Sequence, residues 1–370
     1  MTIKKILVLG IGGVGGLVAT MLTEIGMKVT GVDRAKTLNA PGNINFITGD
    51  VKDAAFLAKI MAGQDAVISC LPYFLTLDVA KAAHKAGIHY FDPTEDVKTT
   101  EEIRGLAKTA AKAMIPQNGL APGFIGIIGA NLAAKFDAGT LRHIRLRVGA
   151  LPQNPIGQLG YAGNWSLDGL IHEYIEQCDV IEDGKRQKVP ALRNAEILRI
   201  YGSEYEAFTT SGGLGTMTET YEGKVETLNY KSIRYPGHLA GMKLLLEELR
   251  FREEPDELVK RIANALPPDD QDRVLIHASV QGKIKGKLQT KDIVTDYHPL
   301  MFAGKMRTAI AWTTAASIVA VVELVAAGKL PQKGFVKQEE IALEDFLKTK
   351  MGALYAENHP ILSLGDGYGD

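Results

Sequence analysis

Cysteine is nearly missing from this 370-residue chain: Cys70 and Cys178 are the two it has. They form no CxxC pair and no cluster with histidines. That excludes a disulfide-stapled fold and a cysteine zinc site, and free thiols of a reducing compartment are expected. An excess of either charge is missing as well. Lys and Arg number 42 against 43 Asp and Glu, a net charge of −1, and that balance sets aside nucleic acid or an anionic membrane as the main partner. No HExxH and no GxSxG occurs, so neither a metal centre nor a serine hydrolase is expected. The longest apolar runs, residues 119–134 and 313–328, make poor membrane spans, because the first is too short and the second carries Glu323. No basic stretch followed by an apolar one opens the chain, and a cytoplasmic location is the resulting expectation. No internal repeat or low-complexity tract is present.

What is there is ordinary globular composition, 46% hydrophobic and 23% charged, at a length that suggests two domains. Over residues 1–121 short apolar runs alternate with helical patterns. Strands are expected at Lys5–Leu9, Lys28–Asp33, Ile44–Thr48, Asp65–Cys70 and His89–Asp92, with a sixth at Ile115–Gln117. Helices are expected at Val14–Ile25, Asp53–Ala62, Leu77–Ala86 and Thr99–Met114. This rhythm predicts an α/β fold, a doubly wound parallel Rossmann sheet. Residues 122–304 read differently. After a helix at Ile125–Lys135 come longer strands of alternating polarity at His143–Val148, Lys224–Arg234 and Arg273–Gln281, with hairpin signals at Glu182-Asp-Gly184 and Glu222-Gly223. A second α+β domain with a mostly antiparallel sheet is expected there. The apolar stretch Lys305–Ala327 is expected to be a buried helix that returns, with residues to about 350, to complete the first domain. The Gly/Asp-rich tail Ser363–Asp370 is expected to fray.

The strongest motif is Gly10-Ile11-Gly12-Gly13-Val14-Gly15, a GxGxxG between the first strand and the first helix. Its chemistry is specific. Gly10 permits a sharp turn, Gly12 clears the path of a pyrophosphate, and Gly15 lets helix and strand approach closely. The helix start then offers unpaired N–H groups to phosphate. Asp33 ends the second strand near the ~20-residue offset expected of an acid that binds ribose hydroxyls. That carboxylate favours NAD, whereas Arg34 beside it suits the 2′-phosphate of NADP. Asp50 and Val51, ending the third strand, are expected beside the adenine. Cys70, Leu71 and Pro72, ending the fourth, are expected on the nicotinamide side. A second glycine run, Ser211-Gly-Gly-Leu-Gly215, follows no clear strand and reads as a structural or substrate-side loop.

Four further segments carry a resemblance: His89-Tyr-Phe-Asp-Pro-Thr-Glu95, Gly119-Leu-Ala-Pro-Gly-Phe124, Gly160-Tyr-Ala-Gly-Asn-Trp-Ser166 with Asp168-Gly169, and Ile233-Arg-Tyr-Pro-Gly-His238. With the glycine motif they resemble the saccharopine dehydrogenase-like family, which includes lysine 6-dehydrogenases. The resemblance runs from Ile6 to about Leu347. It implies NAD(P)-dependent oxidation of a carbon–nitrogen bond on an amino acid or a carboxylated polyamine, or the reverse reduction. It also implies a homodimer formed through the second domain. Asp92-Pro-Thr-Glu95 departs somewhat from the family's usual form, which counts against lysine itself as the substrate.

Such chemistry requires a base for the amine and a cation for the substrate carboxylate. His238, at a strand-to-helix corner, is the leading base, although a capping or packing histidine fits there equally. Arg234 is the carboxylate ligand. Asp92 and Glu95, at the carboxyl edge of the fifth strand, are placed to hold an ammonium or act as base, with Asp96 capping the next helix. Trp165 and Ser166 are expected to shape the substrate pocket. The expected site is the cleft between the two domains. The rivals are a carboxynorspermidine dehydrogenase and a non-catalytic NAD(H) sensor.

Overall fold

The computed structural model describes residues 3–358, so the tail Ser363–Asp370 lies outside the described residues. Two compact units divide the chain, one running to Ile127 and resuming at Ala311, the other spanning Ile128–Ile310. The expected boundaries at 121 and 304 each fall six residues earlier, because the divisions lie inside helices Phe124–Ala133 and Ala309–Ala326.

The first unit is built on strands β1 (Lys5–Leu9), β2 (Lys28–Asp33), β3 (Asn45–Thr48), β4 (Ala66–Ser69), β5 (His89–Phe91) and β6 (Ala113–Ile115). Helices α1 (Gly13–Glu24), α2 (Ala54–Met61), α3 (Tyr73–Ala86) and α4 (Val97–Ala107) link them. The seven strands are parallel and ordered Gly334–Phe335, β6, β5, β4, β1, β2, β3. The chain runs outward from β1 to β3 and returns to β4, so the order reverses between β1 and β4. That is the topological switch point at whose carboxyl edge ligands bind in such sheets. Strands buried on both faces read as continuous apolar runs, as Ile6–Leu9 and Ala66–Ile68 do. One face is closed by Leu57, Ile60 and Met61 of α2, Val79, Ala80 and Ala83 of α3, and Ile103 and Ala107 of α4.

Two expectations for this unit are corrected. Helix α4 stops at Ala107 instead of Met114, and β6 begins at Ala113. Met114 pairs with Tyr90 and is 1% exposed, so burial in the sheet outweighs the helix propensity of the Ala/Lys-rich segment. Residues Lys305–Arg307 form a short hairpin strand, and the long helix begins at Ala309. That helix is long and apolar enough to cross a membrane, yet 83% of it is buried within the fold. Glu323 has a local use there. Its carboxylate accepts the backbone N–H groups of Lys350 and Met351, each at 2.9 Å.

In the second unit, α5 (Phe124–Ala133) leads to β7 (His143–Pro152), α6 (Leu167–Ile175), β8 (Gln177–Glu182), β9 (Lys185–Pro190), β10 (Glu196–Ile200) and β11 (Ser203–Thr209). Then come α7 (Met217–Tyr221), β12 (Thr227–Arg234), α8 (His238–Lys243), β13 (Asp272–Ile284) and β14 (Lys287–Tyr297). The sheet is mixed, because β12 runs parallel to β7 while the other pairings are antiparallel. Asp183-Gly184 makes the expected hairpin between β8 and β9, both residues at positive φ (50° and 77°). Tyr201-Gly202 and Lys285-Gly286 repeat that turn without the Asn or Asp that would have flagged it. Glu222-Gly223 forms no hairpin; it joins α7 to β12.

Asp272 is 0% exposed and accepts the N–H groups of Ala309 (2.5 Å) and Ile310 (3.0 Å), so it anchors the first turn of the long helix. Burial pushes its carboxyl above the usual range and the two N–H bonds hold it down. Asp272→Ala should lower the unfolding free energy by about 1–3 kcal/mol in urea titration, as expected for removing a buried acceptor from its donors.

Candidate functional site

The glycine loop occupies the switch point, and each glycine has a separate physical reason. Gly10 has φ +83°, and a side chain there would press on the Cys70 carbonyl at 2.7 Å. A Cβ on Gly15 would lie 1.8 Å from the Gly10 carbonyl oxygen, so α1 packs on the turn at a distance only glycine allows. A Cβ on Gly12 or Gly13 would meet nothing within 4 Å. Those two are exposed and Val14 is half-buried, so the open side of the loop is the side from which a ligand arrives. Gly12 is the N-cap of α1 and supplies no side-chain cap, and no acid occupies the first helical turn. This is a cradle for a pyrophosphate.

The neighbouring strand ends converge on it. Asp33 Oδ2 accepts the Ile11 N–H at 2.8 Å and Oδ1 accepts the Arg34 N–H at 2.7 Å. The Asp33 carboxylate therefore braces the glycine loop as well as ending β2, a role the sequence pattern did not show. Arg34 is exposed beside it. Leu71 and Cys70 pack against Gly10, Cys70 also meets Gly15, and Pro72 is the exposed N-cap of α3. Burial pushes the Cys70 thiol up to about 12, so it is no ready nucleophile. At the end of β3, exposed Asp50 accepts the Lys52 N–H at 2.9 Å. Val51, beside it, is 9% exposed and packs in the core cluster.

Asp92 and Glu95 part company. Asp92 is 0% exposed and bonds the Thr94 N–H at 2.7 Å, whereas Glu95 is half-buried. The structure thus gives Asp92 a local role, holding the turn after β5 through Thr94. Asp96 caps α4 through the Thr99 N–H at 2.7 Å, as expected. The Gly119–Phe124 segment is a turn closed on itself: Phe124 N–H donates to Gly119 at 3.0 Å, and a Cβ on Gly123 would strike Gly119 O at 2.0 Å.

In the second unit Arg234 is 3% exposed at the end of β12. Its guanidinium lies 5.3 Å from the Tyr161 ring centroid and 5.9 Å from that of Tyr174. Nε donates to the Tyr174 hydroxyl at 2.9 Å and Nη1 to the Ile233 carbonyl at 2.8 Å. The Tyr174 hydroxyl donates in turn to His238 Nε2 at 3.0 Å, and His238 Nδ1–H donates to the Leu159 carbonyl at 2.7 Å. Both ring nitrogens are spent, and burial beside the Arg234 guanidinium pushes His238 down to about 3. The expectation that His238 is the general base is therefore corrected: it is a neutral structural histidine. Ser166 is the N-cap of α6, accepting the Gly169 N–H at 3.0 Å. Trp165 donates to the Tyr161 hydroxyl at 2.7 Å and so braces one ring of the Arg234 box. Ser211–Gly215 is structural, with Gly213 pressed on the Tyr230 ring. Tyr161 lies within a segment the sequence singled out, but Tyr174 carried no signal at all.

Fold and site together define the class: a two-unit protein whose Rossmann unit carries a dinucleotide cradle at its switch point. The sequence profile "Saccharopine dehydrogenase NADP binding domain" matches residues 6–116, and "Saccharopine dehydrogenase C-terminal domain" matches residues 119–358. The chain belongs to the saccharopine dehydrogenase family. A saccharopine dehydrogenase (NADP(+), L-glutamate-forming) of Pyricularia oryzae is 25% identical, over 75% of this chain and 64% of that one. Mouse mitochondrial alpha-aminoadipic semialdehyde synthase is 28% identical over 50% of this chain and 21% of the relative. The chain thus matches less than two thirds of the length of either relative. The solved apo saccharopine dehydrogenase (L-Glu forming) of Saccharomyces cerevisiae shares the fold, with TM-score 0.76 at 19% identity over 95% of this chain and 98% of that one.

Two measurements separate these roles. Gly12→Val should fold normally, because its Cβ meets open space, but lose dinucleotide binding by fluorescence titration. Gly15→Ala should instead lose stability, because its Cβ would overlap the Gly10 carbonyl. His238 must shed its proton to fold, since its folded value lies below the ordinary 6.5. The stability it contributes is therefore complete above pH 6.5 and lost as pH falls toward 3. Its slope approaches about 1.4 kcal/mol per pH unit. His238→Gln should flatten that acid limb in pH-dependent urea unfolding.

Proposed function

We propose that this protein is an oxidoreductase that uses NAD(P) to oxidise, or in reverse to reduce, a carbon–nitrogen bond of an amino acid. The observation that carries the reading is the glycine loop, with its open face at Gly12 and its closed packing at Gly15. Gly10, Gly12, Gly13 and the start of α1 would hold the pyrophosphate. The Asp33 carboxylate would take the ribose hydroxyls, and its place at the end of β2 opposes a 2′-phosphate and supports NAD. When bound, the nicotinamide supplies a hydride acceptor.

The chain's own residues do the rest. Arg234 is the anchor for the substrate carboxylate. Its guanidinium is already desolvated and fixed by Tyr174 and Ile233, so little side-chain entropy remains to be lost on binding. Tyr161 and Tyr174 flatten it between their rings.

The test is to follow reduced-dinucleotide absorbance with NAD or NADP and a panel of lysine, saccharopine, ornithine and carboxynorspermidine. Turnover of one amino acid is expected. Dinucleotide binding with no turnover across the panel would overturn the enzymatic reading and leave the sensor. Arg234→Lys should raise KM for the amine at least tenfold with dinucleotide affinity unchanged, because a lysine cannot reproduce the planar fork.

A further inference from the structure

Asp92 presents an accounting problem. Its side chain is 0% exposed, yet Oδ2 has no hydrogen-bond partner. Oδ1 accepts the Thr94 N–H at 2.7 Å and, more weakly, the Gln117 N–H at 3.4 Å. No ion pair compensates the carboxyl among the described residues. The titratable groups acting on it are Tyr90 on the same strand, Cys70 at the end of β4 and Glu95 on the following loop. None of these is a cation. The backbone of Asp92 is equally engaged: its N–H donates to Ile115 O at 3.4 Å, and its carbonyl accepts the Asn118 N–H at 3.0 Å. Asn118 Oδ1 is itself a buried acceptor with no donor. Ser69 Oγ is a third buried orphan, and β4 pairs with β5 so that Ser69 lies in line with Asp92. Two unpartnered buried acceptors, one of them on the carboxylate itself, and an unpartnered hydroxyl on the next strand are a costly arrangement. A single proton on Asp92 turns one of those acceptors into a donor and removes the charge.

We propose that Asp92 works in its uncharged, protonated form, as a positioning residue that locks the end of β5 to the backbone at 117–118, and that losing this proton loosens the loops framing the nicotinamide half of the dinucleotide site. The direction agrees with its environment, because burial pushes the Asp92 carboxyl up to about 7. Tyr90, whose hydroxyl donates to the Thr76 carbonyl at 3.4 Å, opposes that rise from the same strand. The lock sits beyond β4 and β5, on the side of the switch point opposite the β2–β3 adenosine half. It rests on the dinucleotide reading of the loop but not on any amine substrate.

The experiment is dinucleotide affinity against pH, from 6 to 8, by fluorescence titration of NADH or NADPH. Because the folded, competent form carries the proton, affinity should be greatest at pH 6 and fall about fivefold or more by pH 8. Asp92→Asn cannot ionise, and its profile should be flat. Tyr90→Phe, which keeps the carboxyl and removes the hydroxyl that favours ionisation, should keep the fall and move its midpoint to higher pH. If Asp92→Asn folds and tracks the wild-type profile, the proposal is overturned. If Asp92→Asn does not fold, an unmoved midpoint in Tyr90→Phe overturns it. Failure of the amine panel with these profiles intact would count against the proposed reaction alone.

Discussion

The contact on which the first unit depends is the approach of α1 to the end of β1. Gly15 comes so near the Gly10 carbonyl that no side chain fits between them. That closeness aims the first helical turn at the open side of the loop, where Gly12 leaves room. A helix start carries several unsatisfied N–H groups wherever it lies. What makes this one a phosphate cradle is its place at the switch point, where the parallel strands part and no neighbouring crossover covers it. Asp33 adds a brace, holding Ile11 N–H from the next strand, so the residue that ends β2 also fixes the loop that follows β1.

The second unit is organised around a buried cation. A guanidinium taken out of water is costly unless its hydrogen bonds are met. Arg234 is met by a hydroxyl, a carbonyl and two aromatic faces. The chain from Arg234 through Tyr174 to His238 and the Leu159 carbonyl has one consistent set of proton positions. Arg234 donates, Tyr174 accepts and donates, and His238 accepts on Nε2 and donates on Nδ1. A histidine at the end of such a chain is held neutral and cannot also serve a substrate. Elsewhere in the sheet, Arg147 and Lys231 share Glu196, so the same rule of compensated burial recurs across β7, β10 and β12.

Much of this was legible in the chain itself. The parallel sheet announced itself through apolar runs of strand length separated by helical periods, and the glycine spacing marked the loop between β1 and α1. The sequence misled where a local signal was true but incomplete. Residues 108–114 are good helix formers, and the sheet took Met114 instead. Glu222-Gly223 is a turn, but one that follows a helix. Tyr201-Gly202 and Lys285-Gly286 are hairpin turns without the usual first residue, held by their strands.

What the sequence determined by itself are the features set by near neighbours: strand runs, helix caps at Asp53, Asp96 and Ser166, and the four glycines within six residues. What the tertiary structure alone decided are the roles of ionisable groups. Tyr174 and His238 are 64 residues apart, and Leu159 and His238 are 79 apart. Asp272 meets a helix start 37 residues later, and Asp92 meets the Gln117 backbone 25 residues later. The charge state of a side chain is fixed by its desolvation and its partners. Both are properties of the folded neighbourhood, which residue type and spacing do not encode. For that reason the glycine loop could be read from the chain, while the surroundings of Asp92, Asp272 and His238 had to be read from the fold.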